Sequence, residues 1–383
     1  MKIFIITSTR ADFGLLKNLI LEIKKDKFFS LNVIASGTHF SQKYGYTYNE
    51  IKENKIKVTK KIISNFKYYN SEAISKVMSK CILESSKIFK RFDPDLLILL
   101  GDRYEILASS IAAHLCRIPV AHIHGGEVTQ AAIDDAFRHS ITKMSHIHFV
   151  ANQSYKKRVM QLGENPKNIH IVGGLGIDSI SKTNLISRKE IEKKFKLKFR
   201  EKNFLITFHP ETINKNLAKN QTKELLLSLN KLKNVSLIFT IPGADLENEK
   251  IVYLIKNFVK KNENAYFFKS LGQRNYFSFL KQVDGIIGNS SSGILEMPYF
   301  KKGTINIGSR QSGRLMSKSI INVKIKKNKI DKAIKKLLSK NFKKILKKST
   351  NAYGNPGATR KIINILKTTN TKEIFNKSFF DIR

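Results

Sequence analysis

Four short strings in this 383-residue chain carry side chains able to move protons or hold phosphate. The densest is His122-Ile123-His124-Gly125-Gly126-Glu127, followed by Asp134-Asp135 and Arg138-His139. Side chains alternate along an extended strand, which would put His122 and His124 on one face. Crowded carboxylates push one another's pKa apart, and that suits general acid and base work on a bound substrate. Two histidines, Glu127 and an Asp pair could instead ligate zinc. The compact spacings that usually do so, such as HExxH or CxxC, are absent from the sequence, so no metal is expected. An Asp134–Arg138 ion pair, four residues apart near a helix start, is the plainer structural alternative.

The second string is Gly101-Asp102-Arg103-Tyr104-Glu105, directly after the apolar run LLILL. Asp102 either turns its carboxylate toward a ligand or caps the next helix. The third, Thr9-Arg10-Ala11-Asp12, follows IFIIT. An arginine opening a helix can hold a phosphate; a surface cation beside an N-capping Asp12 is the alternative. No GxGxxG is present, so the usual dinucleotide fingerprint is missing and no cofactor is expected. The fourth is Gly288-Asn289-Ser290-Ser291-Ser292-Gly293, with Glu296 beyond it. Small hydroxyl residues between a strand and a helix leave backbone N–H groups for a phosphate, and Glu296 could accept both hydroxyls of a ribose. A serine-capped helix with an acid suited to its dipole is the alternative. Gly308-Ser309-Arg310-Gln311-Ser312-Gly313-Arg314 adds two arginines, and His209-Pro210-Glu211 closes another apolar run.

All these strings lie just after apolar runs, and the runs alternate with helical periodicity. IFIIT (3–7) precedes Phe13, Leu16, Leu19, Ile20 and Ile23 at helical spacing. LNVIAS (31–36), a helix over 74–92 with Cys81 on its apolar face, LLILL (96–100) and a helix over 106–115 follow. PVAHIH, a helix from about Asp134, HIHFV and IHIV complete the first series. A second series runs through FLITFH (204–209), VSLIFT (235–240), AYFF, DGIIGN (284–289) and TINI (304–307). Strand–helix alternation of this kind predicts α/β structure with doubly wound parallel sheets. Two Rossmann-like domains are expected, 1–175 and 176–354, divided near Gly173-Gly174-Leu175-Gly176. In such folds ligands bind beyond the carboxyl ends of the strands, here in the cleft expected between the two sheets.

Composition narrows the class. Apolar residues make up 41% and charged residues 26%, close to the globular average, and no run approaches the ~18–20 apolar residues needed to span a bilayer. Two cysteines, Cys81 and Cys116, fit a reduced cytoplasm. The leading KIFIIT is too short and polar-flanked for a secretory segment. Lys and Arg total 70 against 30 acidic residues, a formal charge of +40. Only 13 of the 70 are Arg, and dispersed Lys with abundant Ile and Asn fits an AT-rich genome better than a nucleic-acid reader. Neither nucleic acid nor membrane is an expected partner. KIKKNKIDKAIKKLLSKNFKKILKK (324–348) predicts an amphipathic helix with Ile330, Ile334, Leu337 and Leu338 on its buried face.

The strings TRADFG, GDRYE, HIHGGEVT, IDDAFRHSITKMSHIHFV, FHPET, GNSSSGILE and GSRQSGR, in this order over residues 9 to about 314, resemble the hydrolysing UDP-N-acetylglucosamine 2-epimerases of sialic- and legionaminic-acid biosynthesis. The closing NAYGNPGATRKI also resembles that family's last segment. The resemblance implies a glycosyltransferase-B-like pair of domains with segment 355–383 packing back on the first, and an active site in the cleft between them. It implies UDP diphosphate contacts from Arg10, His209, Ser290, Ser291 and Arg310, and a ribose contact from Glu296. It implies Asp102 and Asp134 as catalytic acids, with Arg103, Glu127, Asp135 and His139 around them. Relatives that read HIEGGE have Glu where this chain has His124, and a histidine can also act as acid or base near neutral pH. One extra residue between Glu127 and the Asp pair marks a subgroup.

The implied reaction eliminates UDP from UDP-N-acetylglucosamine and hydrates the glycal to N-acetylmannosamine, without a metal. The alternatives are the same chemistry on the UDP-linked 2,4-diacetamido-2,4,6-trideoxy sugar (UDP-N,N'-diacetylbacillosamine), or a retaining glycosyltransferase that shares the fold. A cytoplasmic homodimer or homotetramer is expected.

Overall fold

Leu96–Leu100 is buried at every position, and so are the last five residues of the strand Lys2–Thr7. Such runs, apolar throughout rather than alternating, are what a parallel sheet covered on both faces requires. The computed structural model describes residues 1–42, 45–64, 71–129, 133–209, 218–242 and 248–382. It divides into two units, one of Met1–Glu127, Ile133–Ser179 and Tyr353–Arg383, the other of Val128–Ala132 and Ile180–Ala352.

The first unit contains β1 (Lys2–Thr7), α1 (Arg10–Lys25), β2 (Ser30–Ser36), α2 (Tyr48–Glu53), β3 (Val58–Ile62), α3 (Ser71–Phe92) and β4 (Leu96–Leu100). It continues with α4 (Tyr104–Leu115), β5 (Val120–Ile123), α5 (Asp134–Met144), β6 (Ile147–Val150), α6 (Gln153–Gln161), β7 (Ile169–Ile171) and most of α7 (Leu175–Ser181). Its seven strands are ordered β3-β2-β1-β4-β5-β6-β7 and pair in parallel. Alternation divides each strand between two cores. Ile3, Ile5, Leu96 and Ile98 pack on one face with Phe13 and Leu16, while Phe4, Ile6, Leu97 and Leu99 pack on the other with Phe89. Cys81 is in the second core, where burial pushes its thiol up to about 12 and leaves it unreactive.

The second unit contains α8 (Arg188–Phe195), β8 (Lys202–Thr207), α9 (Ala218–Leu229), β9 (Val235–Thr240), α10 (Asn248–Lys260), β10 (Ala265–Phe268), α11 (Gln273–Gln282) and β11 (Gly285–Gly288). A four-residue α12 (Ser292–Leu295), β12 (Gly303–Ile307), β13 (Ile320–Val323), α13 (Lys327–Leu338) and α14 (Lys340–Lys348) complete it. Its strands are ordered β10-β9-β8-β11-β12-β13. The strand order reverses between β1 and β4 in one unit and between β8 and β11 in the other, the switch points beside which α/β folds bind ligands. Gly288, at φ 143°, lets β11 pass so close to β8 that a Cβ would fall 2.0 Å from the Thr207 carbonyl oxygen.

Three details differ from the sequence reading. The Lys-rich stretch forms two helices rather than one, because the Ser339 hydroxyl takes the Phe342 N–H at 3.2 Å and starts α14. Ile330, Ile334 and Leu337 are buried as expected, and Leu338 is half-buried. The edge strands β3 and β13 were not foreseen; both are short and only partly buried. Finally, the division between units falls after Ser179 and Ala352. α15 (Ala358–Thr368) packs Ala358, Ile362 and Leu366 against Leu16 and Leu19 of the first unit. The buried Asp178 carboxylate accepts the backbone N–H groups of Gly357, Ala358 (3.1 Å) and Thr359 (2.6 Å), binding this stretch of α7 to the start of α15.

Burial opposes ionisation of Asp178, but these backbone donors outweigh it and hold its carboxyl below the usual range. Its stabilisation is therefore complete above the unfolded pKa of ~3.9 and fades as pH falls through the lower folded value. Asp178→Ala should cost ~1–3 kcal/mol in urea melts at pH 7, with the gap to the parent narrowing in acid. A gap that persists unchanged at pH 2 would show that the carboxylate is not its source.

Candidate active site

Helix α5 opens with Asp134 and Asp135 and places Arg138 one turn later, its side chain only 4% exposed. The guanidinium pairs with Asp102 Oδ2, donates to the Glu127 carbonyl oxygen at 2.9 Å and reaches Asp135 Oδ1 at 3.3 Å. One cation thus fastens the segment after β4, the segment after β5 and the first turn of α5. The i,i+4 alternative, Asp134 with Arg138, is not what forms: the i,i+3 partner Asp135 takes the guanidinium. Asp134 is left half-buried, and burial first, the Asp102 charge second, push its carboxyl up to about 6 against the pull of Arg103 and Arg138.

Asp102 does not cap α4. Arg103 occupies that position, and its guanidinium grips the fully buried Glu105 at 3.0 and 3.2 Å. His122, fully buried, spans the Gly101 carbonyl (Nε2, 2.8 Å) and Thr142 Oγ1 (Nδ1, 3.1 Å), and burial drives its pKa down to about 3. It is a neutral tie. His124 lies just past β5 with φ 69°, so strand alternation does not apply and the shared face with His122 is not realised. A non-glycine residue in this region costs of order 1–3 kcal/mol. Its Nδ1 is 3.2 Å from Glu127 Oε1, and its buried Nε2 has no hydrogen-bond partner among the described residues. His139 Nε2 is 3.5 Å from Asp135 Oδ2, and burial lowers its pKa.

After β1, Thr9 is the N-cap, and Asp12 closes a capping box from the third helical position rather than capping the helix itself. Asp12 also accepts Ser8 Oγ at 2.8 Å and the Thr7 hydroxyl, and Thr7 meets His39 Nε2 at 2.9 Å. This fixes the turn and leaves Arg10 exposed at the first position of α1.

The second unit centres on Asn289, which is fully buried. Its side chain accepts the His209 N–H at 2.7 Å and donates to the His209 carbonyl at 2.9 Å. Its own carbonyl receives Arg310 NH1 at 3.3 Å and Gln311 Nε2 at 2.9 Å. The segments after β8, β11 and β12 are thereby brought together, with His209, Ser290, Ser291 and Arg310 half-buried around them. α12 has four residues, too short for the helix dipole expected there. Its place is taken by a chain of hydroxyls: Tyr276 OH donates to Ser292 Oγ at 2.7 Å, and Ser292 donates to Glu296 Oε2 at 2.6 Å. Burial raises the carboxyl pKa of Glu296. The Pro210 and Glu211 positions of the FHPET string lie outside the described residues.

Arg138, Asn289, Gln311 and Tyr276 were not singled out as site residues. Arg138 entered the sequence reading only as a structural ion-pair partner; Tyr276, on α11, carries no signal there. Among the described residues no group of three or more His, Cys, Asp or Glu side chains is placed to hold a metal. Carbon-detected titration of Asp134 should give an apparent pKa of about 6, and Asp102→Asn should move it down by removing a like charge. A value unmoved by that substitution would uncouple the two acids.

The family model described as UDP-N-acetylglucosamine 2-epimerase matches residues 21–367. A Campylobacter jejuni protein named GDP/UDP-N,N'-diacetylbacillosamine 2-epimerase (hydrolyzing) is 43% identical over 100% of this chain and 99% of its own. The Escherichia coli polysialic acid biosynthesis protein P7 is 34% identical over 100% and 97%. A Legionella pneumophila UDP-N,N'-diacetylbacillosamine 2-epimerase (hydrolyzing) is 30% identical over 96% of each chain. In fold, the S. aureus MnaA–UDP co-structure superposes with a TM-score of 0.78 at 17% identity over 96% of each chain. With its two parallel, helix-covered sheets and these full-length relatives, the chain belongs to the UDP-N-acetylglucosamine 2-epimerase family.

Proposed function

We propose that the chain is a hydrolysing 2-epimerase of the UDP-linked 2,4-diacetamido-2,4,6-trideoxy sugar, releasing UDP and the free 2-epimer. The observation that carries the choice of sugar is the 43% identity, across the whole chain, to a relative named for that substrate. UDP-N-acetylglucosamine, the substrate expected from the sequence, is the second reading, favoured by the 34% identity to a polysialic acid biosynthesis protein.

The reaction breaks the C2–H and C1–O bonds, so that UDP departs and a glycal forms. Water then adds its hydroxyl to C1 and a proton returns to C2 on the opposite face. A weakly acidic C2 hydrogen needs a positioned base with a pKa near the working pH. Asp134, at about 6, fits that task, while Asp102, paired with Arg138, fixes the charge beside it. The His124–Glu127 pair, with Nε2 unengaged, suits the second proton transfer, and Asp135 with His139 completes the acid–base set. Arg10 and Arg103 in the first unit, with His209, Ser290, Ser291 and Arg310 in the second, are assigned to the UDP-sugar; Glu296 is assigned to the ribose. The second unit also has a cavity of about 710 Å³ beside the Arg310 loop, with Ser309, Ser312, Lys324 and Lys326 in its lining. A cytoplasmic homodimer or homotetramer belongs to this reading, with sedimentation as its test.

Separate incubation with the diacetamido sugar as its UDP and GDP conjugates, and with UDP-N-acetylglucosamine, should give the highest kcat/KM on a diacetamido conjugate. A preference for UDP-N-acetylglucosamine would restore the second reading. Activity should fall as pH drops through about 6, where Asp134 becomes protonated, and EDTA should leave turnover unchanged. Asp134→Asn should lower kcat by roughly 10²–10⁴-fold while UDP affinity in calorimetry stays within about two-fold. Arg310→Ala should weaken UDP binding by roughly 1.5–3 kcal/mol. Unchanged affinity would remove Arg310 from the nucleotide contacts.

A further inference from the structure

Beyond α15 the chain returns over the first unit, and residues 375–380 fasten to the far end of α5. Lys377 is the centre of this attachment. Its ammonium donates to both oxygens of Glu164 at 3.0 and 2.9 Å, to the Ser145 carbonyl at 2.7 Å and to the Lys143 carbonyl. The Lys143 carbonyl belongs to the last turn of α5 and that of Ser145 to its C-cap, where orphan acceptors and the helix dipole both favour a cation. Glu164, only 3% exposed, also takes Lys143 Nζ at 2.9 Å and His148 Nε2 at 3.0 Å.

Aromatic contacts seal the same place. Phe375 stacks on His146 with ring centroids 5.2 Å apart, and the Lys143 ammonium lies 4.6 Å from the Phe379 ring centroid. A Cβ on Gly163 would fall 2.3 Å from the Phe379 ring, and the Phe380 N–H donates to the Gly163 carbonyl at 2.9 Å.

α5 has eleven residues, a rod of ~16 Å. The tail holds its C-terminal end; Asp134, Asp135 and Arg138 occupy the opposite end. A second route runs through the sheet, because His148 pairs in register with His122, which ties the Gly101 carbonyl to Thr142 of α5. We infer that Lys377 is a positioning residue: by capping α5 it holds the Asp134, Asp135 and Arg138 cluster in place against Asp102. The inference rests on the assignment of catalysis to these acids.

The test uses the full chain with Lys377→Met, Lys377→Arg and the double variant Lys377→Met/Glu164→Gln, in which no buried carboxylate is stranded. Each is assayed for kcat, KM and UDP affinity on the best nucleotide sugar, and by hydrogen exchange over residues 138–145. Lys377→Met and the double variant should lose roughly ten-fold in kcat, the scale of a sub-ångström misplacement, with UDP affinity within about two-fold of the parent and faster exchange in α5. Lys377→Arg should restore most of the rate. A folded double variant with parental kcat would overturn the positioning role, and so would loss of UDP affinity in parallel with kcat. Exchange separates the two readings: if the parent turns over no nucleotide sugar, the functional assignment fails, while unchanged α5 exchange in the variants would refute the clamp whatever the substrate.

Discussion

The candidate site of the first unit is held together by one buried guanidinium. Arg138 is stable at 4% exposure because two carboxylates and a carbonyl receive it, compensation that a desolvated charge requires. By choosing Asp102 and Asp135 it decides what Asp134 becomes. Burial first, and the neighbouring Asp102 second, push the Asp134 carboxyl up to about 6 against the pull of Arg103 and Arg138. Two chemically identical side chains thereby stand in different settings, Asp102 paired with Arg138 and Asp134 half-buried beside them.

The proposed reading assigns proton chemistry to the first unit and anion holding to the second, each beside the switch point of its own sheet. In the first, a backbone strained at His124 and the ties of His122 and Asp12 keep the acid–base groups fixed. In the second, Asn289 does for three loops what Arg138 does in the first, using its side-chain amide and its backbone carbonyl. The surplus of lysine adds a positive field that suits a nucleotide-sugar substrate and screens away at high salt.

Much of this was legible in the sequence. Uniformly apolar runs such as LLILL announced parallel sheets, and the strings read as site residues do follow those strands. Edge strands β3 and β13 were not read from the sequence; both are short and only partly buried. The partner of Arg138 stayed open because helical spacing offers i−3 and i−4 equally, and the Asp102 side chain it meets lies in the segment after β4. His124 departed from strand alternation through a backbone angle that no side-chain pattern encodes. Lys377, one of 57 lysines in a basic composition, gave no signal at all; its meaning lies in Glu164 and the end of α5, remote in sequence.

The central claim is that carboxylates of the first unit remove and return the C2 proton while water, not UDP, completes C1. Turnover of the UDP-linked diacetamido sugar in deuterated water, followed by proton NMR, tests this most directly. The account predicts a free 2-epimerised sugar with deuterium at C2 and one UDP released for each sugar formed. A product that keeps its C2 protium, or one still joined to UDP, would contradict it.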